Sequence, residues 1–200
     1  MHVTPLKVKD SLLLRPRIFG DERGFFLEMW NRKAFRDFGL DVDFVQDNHS
    51  RSGQHVLRGL HYQVDGHSQG KLVWVSKGTV FDVIVDLRED SPTFGQWDGI
   101  LLTDQDHERL WAPPGCAHGF FVMSDIADFH YKCTDYYAPK HERVLKWDDA
   151  EISVDWPIPA GVVPSVNAKD AEGVAFATCT KYVKAEPLGL GFGVTESDRA

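Results

Sequence analysis

Thr79-Val80-Phe81-Asp82-Val83-Ile84-Val85-Asp86-Leu87 is the stretch that decides the fold. It is rich in β-branched residues, which suit a pleated, half-buried surface. Alternation puts Phe81, Val83, Val85 and Leu87 on one face and Asp82 and Asp86 on the other. This predicts a strand over residues 79–87. Working toward the N-terminus, similar short runs predict strands at 71–76, 56–63, 44–48 and 24–30, with further β-like sequence at 12–14 and 17–19. Toward the C-terminus they recur at 99–103, 109–112, 119–123, 127–134 and 143–147. Lys77-Gly78, Ser91-Pro92 and Pro114-Gly115 are turn signals between them. One short helix is expected over 32–38, capped by Asn31 and stopped by Gly39. Many short strands with one helix predict an all-β, antiparallel sandwich or barrel.

The bulk numbers agree with one such domain. The chain has 200 residues, of which 42% are hydrophobic, material for a single core. Aromatics reach 12%, with 13 Phe and 6 Trp, which fits a β-rich core or a binding cleft. A formal net charge of −8 repels nucleic acid and anionic membranes, so neither is an expected partner. The three cysteines, Cys116, Cys133 and Cys179, form no CxxC pair and support neither a disulfide framework nor a zinc knuckle. A reducing cytoplasmic setting is expected. The domain is read as residues 1–178, with a wrapping loop around Pro157, Pro159, Gly161 and Pro164. Residues 179–200 are read as a tail, Gly-rich and polar from 186 onward.

Chemistry concentrates just before the deciding strand. Val56-Leu57-Arg58-Gly59-Leu60-His61-Tyr62-Gln63, then Gln69-Gly70-Lys71-Leu72, sets three basic side chains into apolar, β-prone sequence. Arg suits a phosphate, His suits proton transfer near neutral pH and Lys suits a developing oxyanion. A lone histidine is most often a satisfied core residue, but one beside Arg58 and Lys71 favours a functional reading. A general base needs a carboxylate to fix its tautomer, and Asp82, Asp86 and Asp170 are all candidates. Strict alternation would separate Arg58 from His61, so a bulge at Gly59 is needed to bring both into one cleft.

Pro113-Pro114-Gly115-Cys116-Ala117-His118 matches the P-x-G-x-x-H half of a cupin pattern. Its partner half should be H-x-H followed by glutamate, and here it is His61-Tyr62-Gln63. Two histidines without an evident carboxylate make a poor site for zinc or iron, so no metal and no cofactor are expected.

Several ordered motifs carry a wider resemblance: Phe19-Gly20-Asp21-Glu22-Arg23-Gly24-Phe25-Phe26, Val45-Gln46-Asp47-Asn48-His49-Ser50, the Arg58–His61 segment, Ser91-Pro92-Thr93-Phe94-Gly95-Gln96-Trp97, Ala117-His118-Gly119-Phe120, Tyr131-Lys132-Cys133-Thr134 and Trp147-Asp148-Asp149. Over roughly residues 3 to 172 the chain resembles the dTDP-4-dehydrorhamnose 3,5-epimerase (RmlC) family. The resemblance implies a cupin-type jelly roll, a homodimer, and a dTDP-linked 4-keto-6-deoxy sugar as substrate. It implies His61 as general base, Asp170 as the carboxylate that orients it, Tyr131 as the opposed proton donor and Lys71 facing the C4 oxygen. It further implies Arg23, Arg58 and His118 around the pyrophosphate and sugar. Glu28, Gln46, Asp47 and Asn48 would lie at the nucleotide and Tyr137 on its base, with Glu142 and Lys169 at further binding positions. Relatives that invert only C3 or only C5 share the base and the acid. A metal-dependent cupin enzyme and a non-catalytic sugar-nucleotide binder are the competing classes. The binder has no need for an opposed base and acid.

Overall fold

The computed structural model describes residues 1–182. Two antiparallel sheets lie face to face. Naming strands in chain order, the six-stranded sheet contains β1 (His2–Pro5), β2 (Leu12–Arg15), β10 (Arg109–Ala112), β7 (Lys71–Lys77), β12 (Ile126–Cys133) and β5 (Gln46–Gly53), adjacent in that order. The five-stranded sheet runs β13 (Glu142–Val144), β6 (Leu57–Gln63), β11 (Cys116–Val122), β8 (Thr79–Asp86) and β9 (Trp97–Thr103). A separate hairpin pairs β3 (Ile18–Asp21) with β4 (Gly24–Leu27). This is the antiparallel jelly-roll sandwich expected.

Much of each sheet is covered on both faces, which explains why many strands read as nearly continuous apolar runs; the β5 end, with Asp47, His49 and Arg51 exposed, is not. Between the sheets, Leu13, Val73, Val75, Leu110 and Phe129 meet Val80, Ile84, Leu102, Phe120 and Val122. The outer face of the five-stranded sheet carries Leu60, Tyr62, Val83, Val85 and Leu87, roofed by Ile152, Phe176, Val154 and Trp156 from the wrapping C-terminal region. On the outer face of the six-stranded sheet, Leu12, Leu14, Leu72 and Trp111 pack under Phe35 of α1 (Arg32–Asp37). Asn31 caps that helix by accepting the Ala34 N–H at 3.2 Å.

The faces of β8 are as alternation predicts, but the acidic face is the one that points between the sheets. Asp82 and Asp86 are fully buried there. Asp86 accepts Arg88 at both carboxylate oxygens, 2.8 Å each, and also Ser91 Oγ and Thr93 Oγ1. The Ser91-Pro92-Thr93 motif thus locks a corner of the fold.

The body extends past the expected boundary at residue 178. Cys179 is buried, Tyr182 bridges to Arg88, and the Tyr182 hydroxyl donates to the Gln63 carbonyl. The polar tail read over 186–200 lies outside the described residues. Among those described, no helix is long and apolar enough to cross a membrane.

Candidate active site

A break in the strand pleat brings the basic side chains together. On β6, Arg58 and His61 both face the intersheet space although they are three residues apart. Across the ladder, Phe120 opposes Arg58 and His118 opposes His61, so β6 holds one extra residue there. Gly59 makes this bulge possible, with φ of 121° and its backbone against β11. A Cβ at Gly59 would sit 2.6 Å from Gly119 Cα. The anticipated bulge is present, and it puts both cations in one cleft.

Of the three candidate partners for His61, the fold selects Asp170. Its Oδ1 lies 2.6 Å from His61 Nε2, and its Oδ2 accepts the Gly59 N–H at 3.0 Å. Asp170 sits in a one-turn helix, α2 (Ala168–Ala171), whose cap residue Asn167 accepts the Asp170 N–H at 2.7 Å. The carboxylate has no exposed surface. Burial alone would raise its pKa. The His61 and Gly59 hydrogen bonds and the nearby charges outweigh this and hold it below the usual range. With Nε2 engaged by the carboxylate, Nδ1 is the other ring nitrogen. The other two aspartates are taken. Asp86 holds Arg88, and Asp82 lies 3.0 Å from His118 Nε2 through both oxygens.

Opposite His61, the six-stranded sheet supplies Lys71 from β7 and Tyr131 from β12. These line a cleft of about 360 Å³ together with Arg58, His61, Gln46 and Asn48. A smaller inner recess of about 110 Å³ continues to His118 and Phe129. Burial pushes the Tyr131 hydroxyl up. Burial also lowers the Lys71 ammonium, against the pull of Glu142 and Asp82. At the rim, Tyr137 donates to Glu142 Oε2 at 2.7 Å and Lys169 pairs with Glu142 Oε1 at 2.7 Å. Desolvation would raise Glu142, but Lys169 and Tyr137 bring it below the usual carboxylate range.

Three expected binding residues lie elsewhere in the single chain. On β5, Gln46 and Asn48 face the cleft, so the pleat sends Asp47 to the other side, where it pairs with Lys132 at 2.7 Å. Arg23 stands on the β3–β4 hairpin, 85% exposed and paired with Asp21. Glu28 accepts Asn31 Nδ2 at 3.1 Å beside a different cleft, lined by Phe26 and Phe35. The sequence reading missed Cys133, Gln63, Gln69 and Asn167 as cleft-lining groups. For Cys133 the signal was available, since it shares the Tyr131 face of its strand. Among the described residues, no three His, Cys, Asp or Glu side chains group to hold a metal ion.

A jelly-roll sandwich whose intersheet cleft sets a carboxylate-held histidine opposite a tyrosine and a buried lysine suits an isomerase. Comparisons with known proteins agree. Residues 5–178 match the model of the dTDP-4-dehydrorhamnose 3,5-epimerase family. A Pseudomonas aeruginosa protein of that name is 52% identical over 178 residues, 88% of this chain and 97% of the relative. An Escherichia coli one is 50% identical, over 82% of this chain and 90% of the relative. Among solved structures, Legionella pneumophila RmlC in complex with dTDP-4-keto-L-rhamnose superposes with a TM-score of 0.85 at 44% identity, covering 90% of this chain and 94% of that one. The 3'-monoepimerase ChmJ of Streptomyces bikiniensis, in complex with dTDP-quinovose, gives 0.81 at 30% identity, covering 89% and 88%. The chain belongs to the dTDP-4-dehydrorhamnose 3,5-epimerase family.

Proposed function

We propose that this protein epimerises a dTDP-linked 4-keto-6-deoxyhexose at C3 and C5 by successive proton removal and return. The supporting observation is that His61 and Tyr131 come from opposite sheets and open on one cleft. A proton taken from one side of the sugar and given back from the other inverts the carbon. C3 and C5 both flank the C4 ketone, so one base and one acid serve each in turn. His61, held by Asp170, removes the proton. Lys71 meets the enolate oxygen that develops at C4, and Tyr131 supplies the proton on the far side. Arg58 and His118 face the pyrophosphate and sugar. Tyr137, Gln46 and Asn48 receive the nucleoside, with Glu142 and Lys169 at the rim.

Arg23 and Glu28 fit this reading in a homodimer, where the exposed hairpin of one copy reaches the cleft of the other. The exposed Phe25 and Phe26 of that hairpin suit a protein contact. We place the protein in the cytoplasm, a setting that suits three buried free thiols.

The test is NMR of dTDP-4-keto-6-deoxyglucose with the enzyme in deuterated water. Deuterium at both C3 and C5 is expected. Label at C3 alone would align the protein with the monoepimerases, and no label at either centre would end the proposal. For the dimer, mixing Arg23→Ala chains with His61→Asn chains should restore activity that neither has alone. No restoration on mixing would confine Arg23 to its own subunit.

A further inference from the structure

The rim segment after β12 carries Tyr137 and belongs to no strand. Its backbone polar groups therefore need partners from elsewhere. At four consecutive residues a glutamine side chain supplies one. The Asp135 carbonyl accepts Gln69 Nε2 at 2.8 Å, and the Tyr136 carbonyl accepts Gln63 Nε2 at 3.2 Å. The Tyr137 N–H donates to Gln46 Oε1 at 2.9 Å, and the Ala138 N–H donates to Gln63 Oε1 at 2.7 Å. Gln63 Nε2 also donates to the His67 carbonyl at 2.8 Å, tying the 64–68 loop to the same amide.

These anchors are well founded. Gln63 is only 3% exposed and ends β6, two residues beyond His61. Gln46 begins β5, on the opposite sheet. Tyr137, by contrast, is 52% exposed. Its hydroxyl is held by Glu142, which pairs with Gln63 in the β13–β6 register. A half-exposed ring is fixed here by polar bonds to its own backbone and hydroxyl, with little burial to hold it.

We propose that Gln63 and Gln69 are positioning residues for the sugar-nucleotide reaction, acting through Tyr137. They hold the 135–138 backbone so that the tyrosine stands ready at the rim before ligand arrives. Ordering that segment in advance lowers the entropic cost of binding and leaves the proton transfers at His61 and Tyr131 untouched. This rests on the dTDP-sugar reading above.

The test uses the full chain with Gln63→Met and Gln69→Met, which keep side-chain length and remove the amide. For Gln63→Met, KM for dTDP-4-keto-6-deoxyglucose and Kd for dTDP are expected to rise about tenfold, and for Gln69→Met about threefold, while kcat changes less than about twofold. Amide hydrogen exchange should quicken at Tyr137 and Ala138 and stay unchanged in β8. In a Tyr137→Ala background, Gln63→Met should add nothing to KM. A fall in kcat at constant KM, additive effects with Tyr137→Ala, or unchanged exchange at the rim would each overturn the proposal. Should Gln63→Met fail to fold, Gln69→Met decides by the same measurements. If the wild-type protein does not turn over the sugar while the rim amides respond as stated, the substrate reading falls, and with it the role in that reaction, and only the hold of Gln63 and Gln69 on the 135–138 backbone stands.

Discussion

Replacing Asp170 by Asn tests the centre of the proposed mechanism with a nearly isosteric change. The Asn can still accept the Gly59 N–H through one oxygen, so the α2 turn should survive. What goes is the negative charge against His61, whose ring nitrogen is 2.6 Å from the carboxylate. When His61 takes a proton it becomes a cation, and its charge centre lies about 4 Å from that of the carboxylate. At an effective dielectric near 20 such a pair attracts by about 4 kcal/mol. Each 1.36 kcal/mol is about a factor of ten in rate, so full loss would slow proton removal about a thousandfold. His61 is 27% exposed, and water recovers part of this. A drop of about 10²- to 10³-fold in kcat is therefore expected. The assay is deuterium incorporation into the 4-keto sugar followed by NMR, with dTDP affinity measured by calorimetry. Exchange within about threefold of wild type, or a loss that lies wholly in dTDP affinity, would refute the assignment of His61 and Asp170 as a working pair.

Other substitutions probe the remaining parts. Tyr131→Phe should cut epimer formation by about a hundredfold while solvent exchange stays near wild type, as expected for an acid that acts after proton loss; equal slowing of both would remove the role. Burial lowers the Lys71 pKa, so its protonated form is lost as pH rises through a value below the ordinary ~10.4. The pH–rate profile should therefore bend down before that value, and Lys71→Met should lose both the bend and about a hundredfold in kcat. Gly59→Ala would bring a Cβ to 2.6 Å from Gly119 Cα and 2.8 Å from the His118 carbonyl at a φ of 121°. A destabilisation of about 2–4 kcal/mol in urea unfolding is expected, and a cost under about 1 kcal/mol would show that the bulge yields.

What the chain discloses before folding depends on where each residue's partners lie. Residues 79–87 announce their strand through alternation alone, and β8 spans Thr79–Asp86. The Asn31 cap likewise marks α1 from local chemistry. β5 is different. Read as 44–48, it runs Gln46–Gly53 through Gln-Asp-Asn-His-Ser-Arg-Ser-Gly, because its inner face lines a cleft and its outer face is polar, so no apolar alternation betrays it. α2 is one turn long, too short for a periodic signal. β1 is a four-residue edge strand ending in proline. β13 runs Glu142–Val144 and so shares only 143 and 144 with the expected 143–147, and beyond it Leu145 bridges to Val174 instead. In the site, Arg58, His61 and Lys71 were readable from cations set in apolar sequence. The choice of Asp170 over Asp82 and Asp86 by residue chemistry alone was not, since it depends on a contact spanning 109 residues. Asp47 shows the complementary limit, because a one-residue step along a pleat sends a side chain to the far side of a sheet.

That 109-residue span also orders events during synthesis. Every strand of both sheets lies before residue 145, so the sandwich is complete in sequence while Asp170 is still to be added. A chain cut short between those points would carry the tyrosine and the lysine but lack Asn167 and Lys169 of the cleft, and its imidazole would have no carboxylate to hold it. The carboxylate that holds His61 is thus among the last parts of the cleft to leave the ribosome.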